Sequence, residues 1–261
     1  MGCSYRGTSE GKVSLEILET KGLTMSFGGL TAVDGVDFRA EKGQLSTIIG
    51  PNGAGKTTFF NMIAGNLSPT SGEIWFKGEN ITHLPAHMVS RKSIARSYQI
   101  INIFPNLTVF ENIRIAAQSR KVTYDFWKDV KNLDEINQKA TKILETLRLM
   151  DRNETVASNL PYGEQRHLEI GIALATEPEL LLMDEPTAGL TPEETLRIME
   201  LIKTISKGLT IILVAHDMDV VMKVSDRITV LHQGRILAEG KPEEIQSNEE
   251  VQKVYLGGQR F

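Results

Sequence analysis

One segment constrains this chain more than any other, Gly50-Pro51-Asn52-Gly53-Ala54-Gly55-Lys56-Thr57. The apolar run Leu45 to Ile49 precedes it, and the helix-compatible stretch Thr58 to Ala64 follows. A buried strand that enters a glycine-rich turn and then a helix N-terminus aims successive backbone N–H groups at an anion. Gly50, Gly53 and Gly55 let the backbone wrap closely. Lys56 has the reach to contact β- and γ-phosphates, and the Thr57 hydroxyl can ligate Mg²⁺. Residues 50–58, with Pro51, Asn52, Ala54 and Thr58 completing the loop and first helical turn, form the expected nucleotide-binding segment.

The bulk composition limits what surrounds this loop. The chain has 261 residues, 41% hydrophobic and 24% charged, enough for one substantial core or two small ones. A net charge of −4 and a pI near 5.8 oppose nucleic-acid binding through a broad basic field. The single cysteine, Cys3, excludes an internal disulfide and fits a reducing compartment. No run approaches 18 apolar residues, so no membrane-spanning helix is expected. Residues 1–14 are Gly- and Ser-rich without an apolar core, and read as a flexible leader rather than a secretory signal. Arg6 stands where an acylation signal beginning Met1-Gly2 requires Ser or Thr.

Patterning supplies the organisation. Leu15 to Thr24 and Thr31 to Phe38 alternate around Phe27-Gly28-Gly29, which predicts an antiparallel β start. Pro69 to Gly72 reads as a turn before a short strand, Glu73 to Lys77. Ser97 to Pro105 reads as a loop, and Asn132 to Leu149 places Ile136, Ala140, Ile143, Leu144 and Leu147 on one helical face. The block from about 91 to 160 is therefore expected to be a helical insertion. Residues 120–131 show no clean period. Glu164 to Ala175 reads as a helix stopped by Pro178. Leu180 to Met183 and Leu209 to Val214 are continuous apolar runs suited to parallel strands covered on both faces. The helix Pro192 to Ser206 separates them, and Ile228 to Leu231 with Arg235 to Ala238 form a hairpin around Gln233-Gly234. The expected architecture is α/β, with a mainly parallel core, an antiparallel layer and a helical subdomain.

Four further positions carry chemistry if they meet the loop. Asp184, at the end of an apolar strand, can hold Mg²⁺ directly or through water. Glu185 is then placed to polarise the water that attacks a γ-phosphorus. Alone, such a pair is ordinarily a strand ending in a solvated turn; the upstream loop reverses that weighting. Gln99 can touch the metal and its water, although a bare glutamine is usually just solvated. His216 follows Leu209 to Val214 at the edge where α/β sheets place ligands, and is otherwise a capping or core histidine.

Read together, these segments resemble the ATP-binding cassette (ABC) ATPases over residues 15–261. The resemblance makes Phe27 the aromatic that stacks on adenine, residues 50–57 the Walker A loop and Gln99 the Q-loop. Leu160-Pro161-Tyr162-Gly163-Glu164-Gln165 becomes the signature that acts across a dimer. Asp184 and Glu185 become Walker B and the catalytic base, Ala188 to Thr191 the D-loop, and His216 the switch. Pro161 departs from the family's usual Ser and offers neither hydroxyl nor N–H, so trans phosphate contact falls to Gly163 and the helix N-terminus near Glu164.

Phe27 to Val33, Asn106 to Asn112, the unusual signature and Val254-Tyr255-Leu256-Gly257 are similar to the ATPases of branched-chain amino acid importers. The lipopolysaccharide-exporting ATPase shares several of these features. The resemblance implies an ATPase using ATP and Mg²⁺ on the cytoplasmic face of the cell membrane. Its implied partners are a transmembrane permease, a second like or related cassette and an extracytoplasmic binding protein. A soluble ABC protein would instead show two fused cassettes or a coiled-coil insertion. A regulatory subunit would lack Glu185 or His216, both of which this chain retains.

Overall fold

The computed structural model describes residues 16–97, 101–119 and 129–256. It opens with β1 (Glu16–Phe27) and β2 (Leu30–Glu41), paired antiparallel around Gly28-Gly29. Strand β3 (Leu45–Ile49) leads through the glycine-rich loop into α1 (Lys56–Ile63). β4 (Ser71–Phe76) and the two-residue β5 (Glu79–Asn80) complete an antiparallel sheet in the order β2-β1-β4-β5. α2 (Ala86–Arg91) and β6 (Ile94–Ser97) follow. Next come three longer helices, α3 (Val109–Gln118), α4 (Asp129–Leu147) and α5 (Tyr162–Ala175). The chain then alternates through β7 (Leu180–Asp184), α6 (Pro192–Ile205), β8 (Thr210–Val214) and α7 (Met218–Val224). It finishes with the hairpin β9 (Arg227–His232) and β10 (Arg235–Gly240), then α8 (Pro242–Gln246) and α9 (Glu249–Leu256).

The second sheet has the order β10-β9-β3-β8-β7-β6, with every pairing parallel except that of β10. Its continuous apolar runs resolve into two faces. Leu45, Ile49, Leu181, Met183, Ile211 and Leu213 face a core shared with the helical insert. Ile48, Leu180, Leu182, Ile212 and Val214 face a core shared with the antiparallel sheet and α1. Alternate residues of each strand thus serve opposite cores, because successive side chains on a strand point to opposite faces. Within the antiparallel layer, Phe38 meets Phe59 of α1 edge-to-face, with centroids 5.5 Å apart.

In the insert, Ile136, Ala140, Leu144 and Leu147 of α4 are buried, and Ile143 is partly buried, on the face the periodicity predicts. The helix begins at Asp129, three residues before its predicted start. Helix α5 is closely approached at Gly171, where a Cβ would lie 2.3 Å from Leu147 Cδ1 and 2.7 Å from Ile113 Cδ1. Glycine is what lets α3 and α4 sit on α5.

The structure differs from the sequence reading in several places. Residues 94–97, inside the expected insertion, are an edge strand of the central sheet. Ser97 pairs with Met183. A four-residue strand half covered on its outer side carries no usable alternation. β4 starts at Ser71, inside the expected turn. Helix α3 was not predicted, although Thr108 and Glu111 form a capping box at its start. Helices α2, α7, α8 and α9 were also not predicted; none exceeds eight residues, too short for a clear helical period. The leader, residues 1–14, and Gln99 lie outside the described residues.

Candidate nucleotide site

Parallel pairing decides which residues meet. β3 and β7 flank β8, with Ile48 and Asp184 both opposite Val214. The glycine-rich loop after β3, Asp184-Glu185 after β7 and His216 after β8 therefore emerge at one edge. These are the carboxyl ends of the strands, where open α/β sheets place ligands.

The loop is tightly moulded at its base. A Cβ on Gly50 would lie 2.2 Å from Leu231 O, and one on Gly55 would lie 2.4 Å from Ala32 O, while at Gly53 nothing lies within 4 Å. Gly55, at φ 102°, is the N-cap of α1 and makes no side-chain capping bond. The first N–H groups of α1 thus suit an anion through both their unfilled hydrogen-bonding and the helix dipole. Ala54 O accepts from Gly234 N at 3.0 Å, and Gly234 O accepts from Asp34 N at 2.8 Å, which locks the loop to the β9–β10 turn and to β2. Pro51, Asn52 and Gly53 form the outer rim and Ala54 is buried. Thr57 is exposed and Thr58 half-buried.

Lys56 is buried at 6% exposure. Its Nζ donates to Gly50 O at 2.6 Å and to Pro51 O at 3.0 Å. Burial pushes its pKa down, while Glu185 and Asp184 pull it back up. The parallel register of β3, β8 and β7 brings the three residues to the same sheet edge. Asp184 is buried; desolvation raises its pKa, and Arg96 opposes the shift through charge and a hydrogen bond. Glu185 N donates to Val214 O at 2.9 Å. Its backbone has φ 49°, the left-handed region that costs a non-glycine residue roughly 1–3 kcal/mol. His216 Nε2 donates to Glu185 Oε1 at 2.5 Å. A cleft of about 490 Å³ opens beside this pair, lined by Thr187, Ala188, Leu190 and Asp217 among others.

Asp184 and Thr57 offer a carboxylate and a hydroxyl beside a phosphate-binding turn. This sparse set of hard oxygens fits Mg²⁺, which keeps several waters and completes its shell with phosphate oxygens. Phe27 is 47% exposed at the end of β1, opposite Leu30, so its ring is available for stacking.

The expected signature segment, residues 160–165, lies elsewhere on the chain, close to Gly189 and Glu194. Leu160 is buried, Pro161 is the N-cap of α5, and Tyr162 is exposed. Gln165 Nε2 closes back on Leu160 O at 2.9 Å, and Arg152 Nε lies 3.6 Å from Glu164. Gly163 is buried, and a Cβ there would lie 2.6 Å from Glu194 Oε1. Glu194 also caps α6 by accepting from Thr191 N and Oγ1, and hydrogen bonds from Thr191 and Gly163 keep its carboxyl below the usual range. A Cβ on Gly189, in the expected D-loop, would sit 3.5 Å from the Tyr162 ring. Sequence reasoning missed Glu194 and Arg96. The T-x-x-E capping box at Thr191 was a signal for the first; an arginine in an unpredicted strand gave none for the second.

A family model described as ABC transporter matches residues 33–188. One described as branched-chain amino acid ATP-binding cassette transporter matches residues 235–260. The high-affinity branched-chain amino acid transport ATP-binding protein BraF of Pseudomonas aeruginosa is 42% identical over 254 residues, covering 94% of this chain and 99% of its own. LivG of Escherichia coli K12, which bears the same description, is 40% identical, with 94% and 99% covered. The ADP conformation of MJ1267, an ATP-binding cassette of an ABC transporter, superposes with a TM-score of 0.82 at 32% identity, covering 94% of this chain and 100% of that one. The chain belongs to the ABC transporter family and is one of its ATP-hydrolysing subunits.

Proposed function

We propose that this ATPase powers import of branched-chain or related amino acids, working as a dimer against a transmembrane permease on the cytoplasmic face of the membrane. An extracytoplasmic binding protein would deliver the cargo. The convergence of Lys56, Asp184, Glu185 and His216 at one sheet edge carries the catalytic part of this reading. The high-affinity branched-chain relatives, aligned across nearly the whole chain, support the cargo. No helix among the described residues is long and apolar enough to cross a membrane, so the permease is a separate chain in this reading.

In the proposed cycle the loop amides and Lys56 hold the phosphates, and Phe27 stacks on adenine. Asp184 and Thr57, with Gln99, would hold Mg²⁺, which would supply positive charge against the phosphate oxygens. Glu185 takes a proton from the attacking water as the γ-phosphoryl group moves to it, giving ADP and phosphate. The hydrogen bond from His216 fixes the Glu185 carboxylate for that step. Residues 160–165 reach the γ-phosphate bound by the partner cassette, so binding closes the pair and hydrolysis reopens it.

The permease would dock over a cavity of about 210 Å³ between α2, β6 and α5, lined by Val89, Ser90, Arg96, Asn102, Glu169 and others. Two residues after Asn102, Phe104 is 50% exposed on a loop that the buried Asn112 pins, its Oδ1 accepting from Phe104 N and its Nδ2 donating to Phe104 O and Thr108 O. Uptake of labelled leucine, isoleucine and valine tests the cargo, using cells whose gene for this chain carries Lys56→Ala. Loss of all three, with arginine uptake intact, is expected. Unchanged branched-chain uptake would refute the assignment.

A further inference from the structure

Asp184 is almost wholly withdrawn from water, so its neighbours decide how it is oriented. Its Oδ2 accepts from Arg96 Nη2 at 3.0 Å, the two side chains being 6% and 8% exposed. The other terminal nitrogen, Nη1, donates to Asn61 Oδ1 at 2.6 Å. The guanidinium carbon lies 6.0 Å from the Phe60 ring centroid. Asn61 and Phe60 both belong to α1, whose first turn carries Thr57. Arg96 itself sits in β6 opposite Leu182 of β7. A single side chain thus fastens the tip of β7 to the helix that begins at the phosphate loop.

The chemistry of the fork explains why an arginine stands here. A planar guanidinium serves two acceptors at fixed angles, whereas an ammonium is a point charge on a flexible stem. A buried ion pair is weak grounds for stability, because desolvation consumes much of the Coulombic gain. What this one supplies is geometry. Ligating carboxylates depend on outer partners for their orientation.

We propose that Arg96 is a positioning residue for the Mg²⁺ site, taking up Oδ2 of Asp184 and leaving Oδ1 to the metal or its water, in fixed relation to Thr57. This rests on the reading of Asp184 as a metal carboxylate, and the test separates the two. Arg96 does not touch the reacting atoms; it acts through Asp184.

The probe is Mn²⁺, titrated by electron paramagnetic resonance in the presence of ATP, with thermal melting measured alongside. Asp184→Asn and Arg96→Met are both expected to weaken Mn²⁺ binding by about 10- to 100-fold, the usual range for outer partners of a metal ligand. ATP affinity in EDTA should stay unchanged in both. Arg96→Lys should recover part of the loss, and Asn61→Ala should show a smaller weakening because Arg96 keeps its charge and loses its anchor. Unchanged or tighter Mn²⁺ binding in Arg96→Met, with the loss present in Asp184→Asn, overturns the role of Arg96. Normal Mn²⁺ binding in Asp184→Asn overturns the metal reading beneath it. If Arg96→Met does not fold, normal Mn²⁺ affinity in both Arg96→Lys and Asn61→Ala overturns the proposal.

Discussion

The edge of the central sheet and the helical insert are both built from buried, well-packed segments, yet they constrain sequence in different ways. At the edge, Gly50 and Gly55 face backbone oxygens within 2.4 Å of any added Cβ, and Glu185 holds a left-handed backbone. Residue identity there is dictated atom by atom. In the insert, Ile136, Ala140, Leu144 and Leu147 need only be apolar and of suitable volume. The difference separates chemistry from support: conservative changes to the reactive side chains at the edge should remove reaction without unfolding, and overpacking the insert should do the reverse.

The largest expected effect is at Glu185. Glu185→Gln should lower single-turnover hydrolysis by roughly 10²- to 10⁴-fold, because an amide cannot take the water's proton. Its melting temperature should stay near that of the parent. Equal single-turnover rates would move the base elsewhere. Gly171→Val attacks the insert instead, driving a side chain into Leu147 and Ile113. Denaturant unfolding should report a loss of about 1–3 kcal/mol, the usual cost of overpacking, with ATP affinity of the folded protein unchanged. A variant that melts normally but loses ATP binding would erase the distinction between the two regions.

Phe27→Ala should weaken ATP binding by roughly 1–3 kcal/mol, the value of one base–aromatic stack, measured by calorimetry. Unaltered affinity would leave Phe27 with no role at the nucleotide. The smallest effect on ATP hydrolysis is expected at the docking face. Phe104→Ser should hydrolyse ATP normally as the isolated protein while amino acid uptake in cells falls. Parallel loss of both activities would place Phe104 in the folding core rather than at a permease contact.

Legibility followed the same division. The phosphate loop could be read directly because close backbone approach and phosphate chemistry fix Gly50, Gly53, Gly55, Lys56 and Thr57 at set spacing. Asp184 and Glu185 were legible as the end of an apolar run, and their approach to Lys56 follows from parallel pairing around β8. β6 was not legible: four residues with two half-buried positions look like loop. Nor was the approach of Gly163 to Glu194, since nothing local marks Glu194 as the neighbour of a glycine 31 positions earlier. That contact changes how residue 163 is to be understood. Any side chain there meets Glu194 of the same chain.

The claim on which this account turns is that two copies close around ATP and that hydrolysis at Glu185 opens them. Sedimentation of the Glu185→Gln protein, with and without MgATP, tests it most directly. A monomer that becomes a dimer only when MgATP is added is the predicted result; a protein that stays monomeric at saturating MgATP, or dimerises equally without it, would contradict the account.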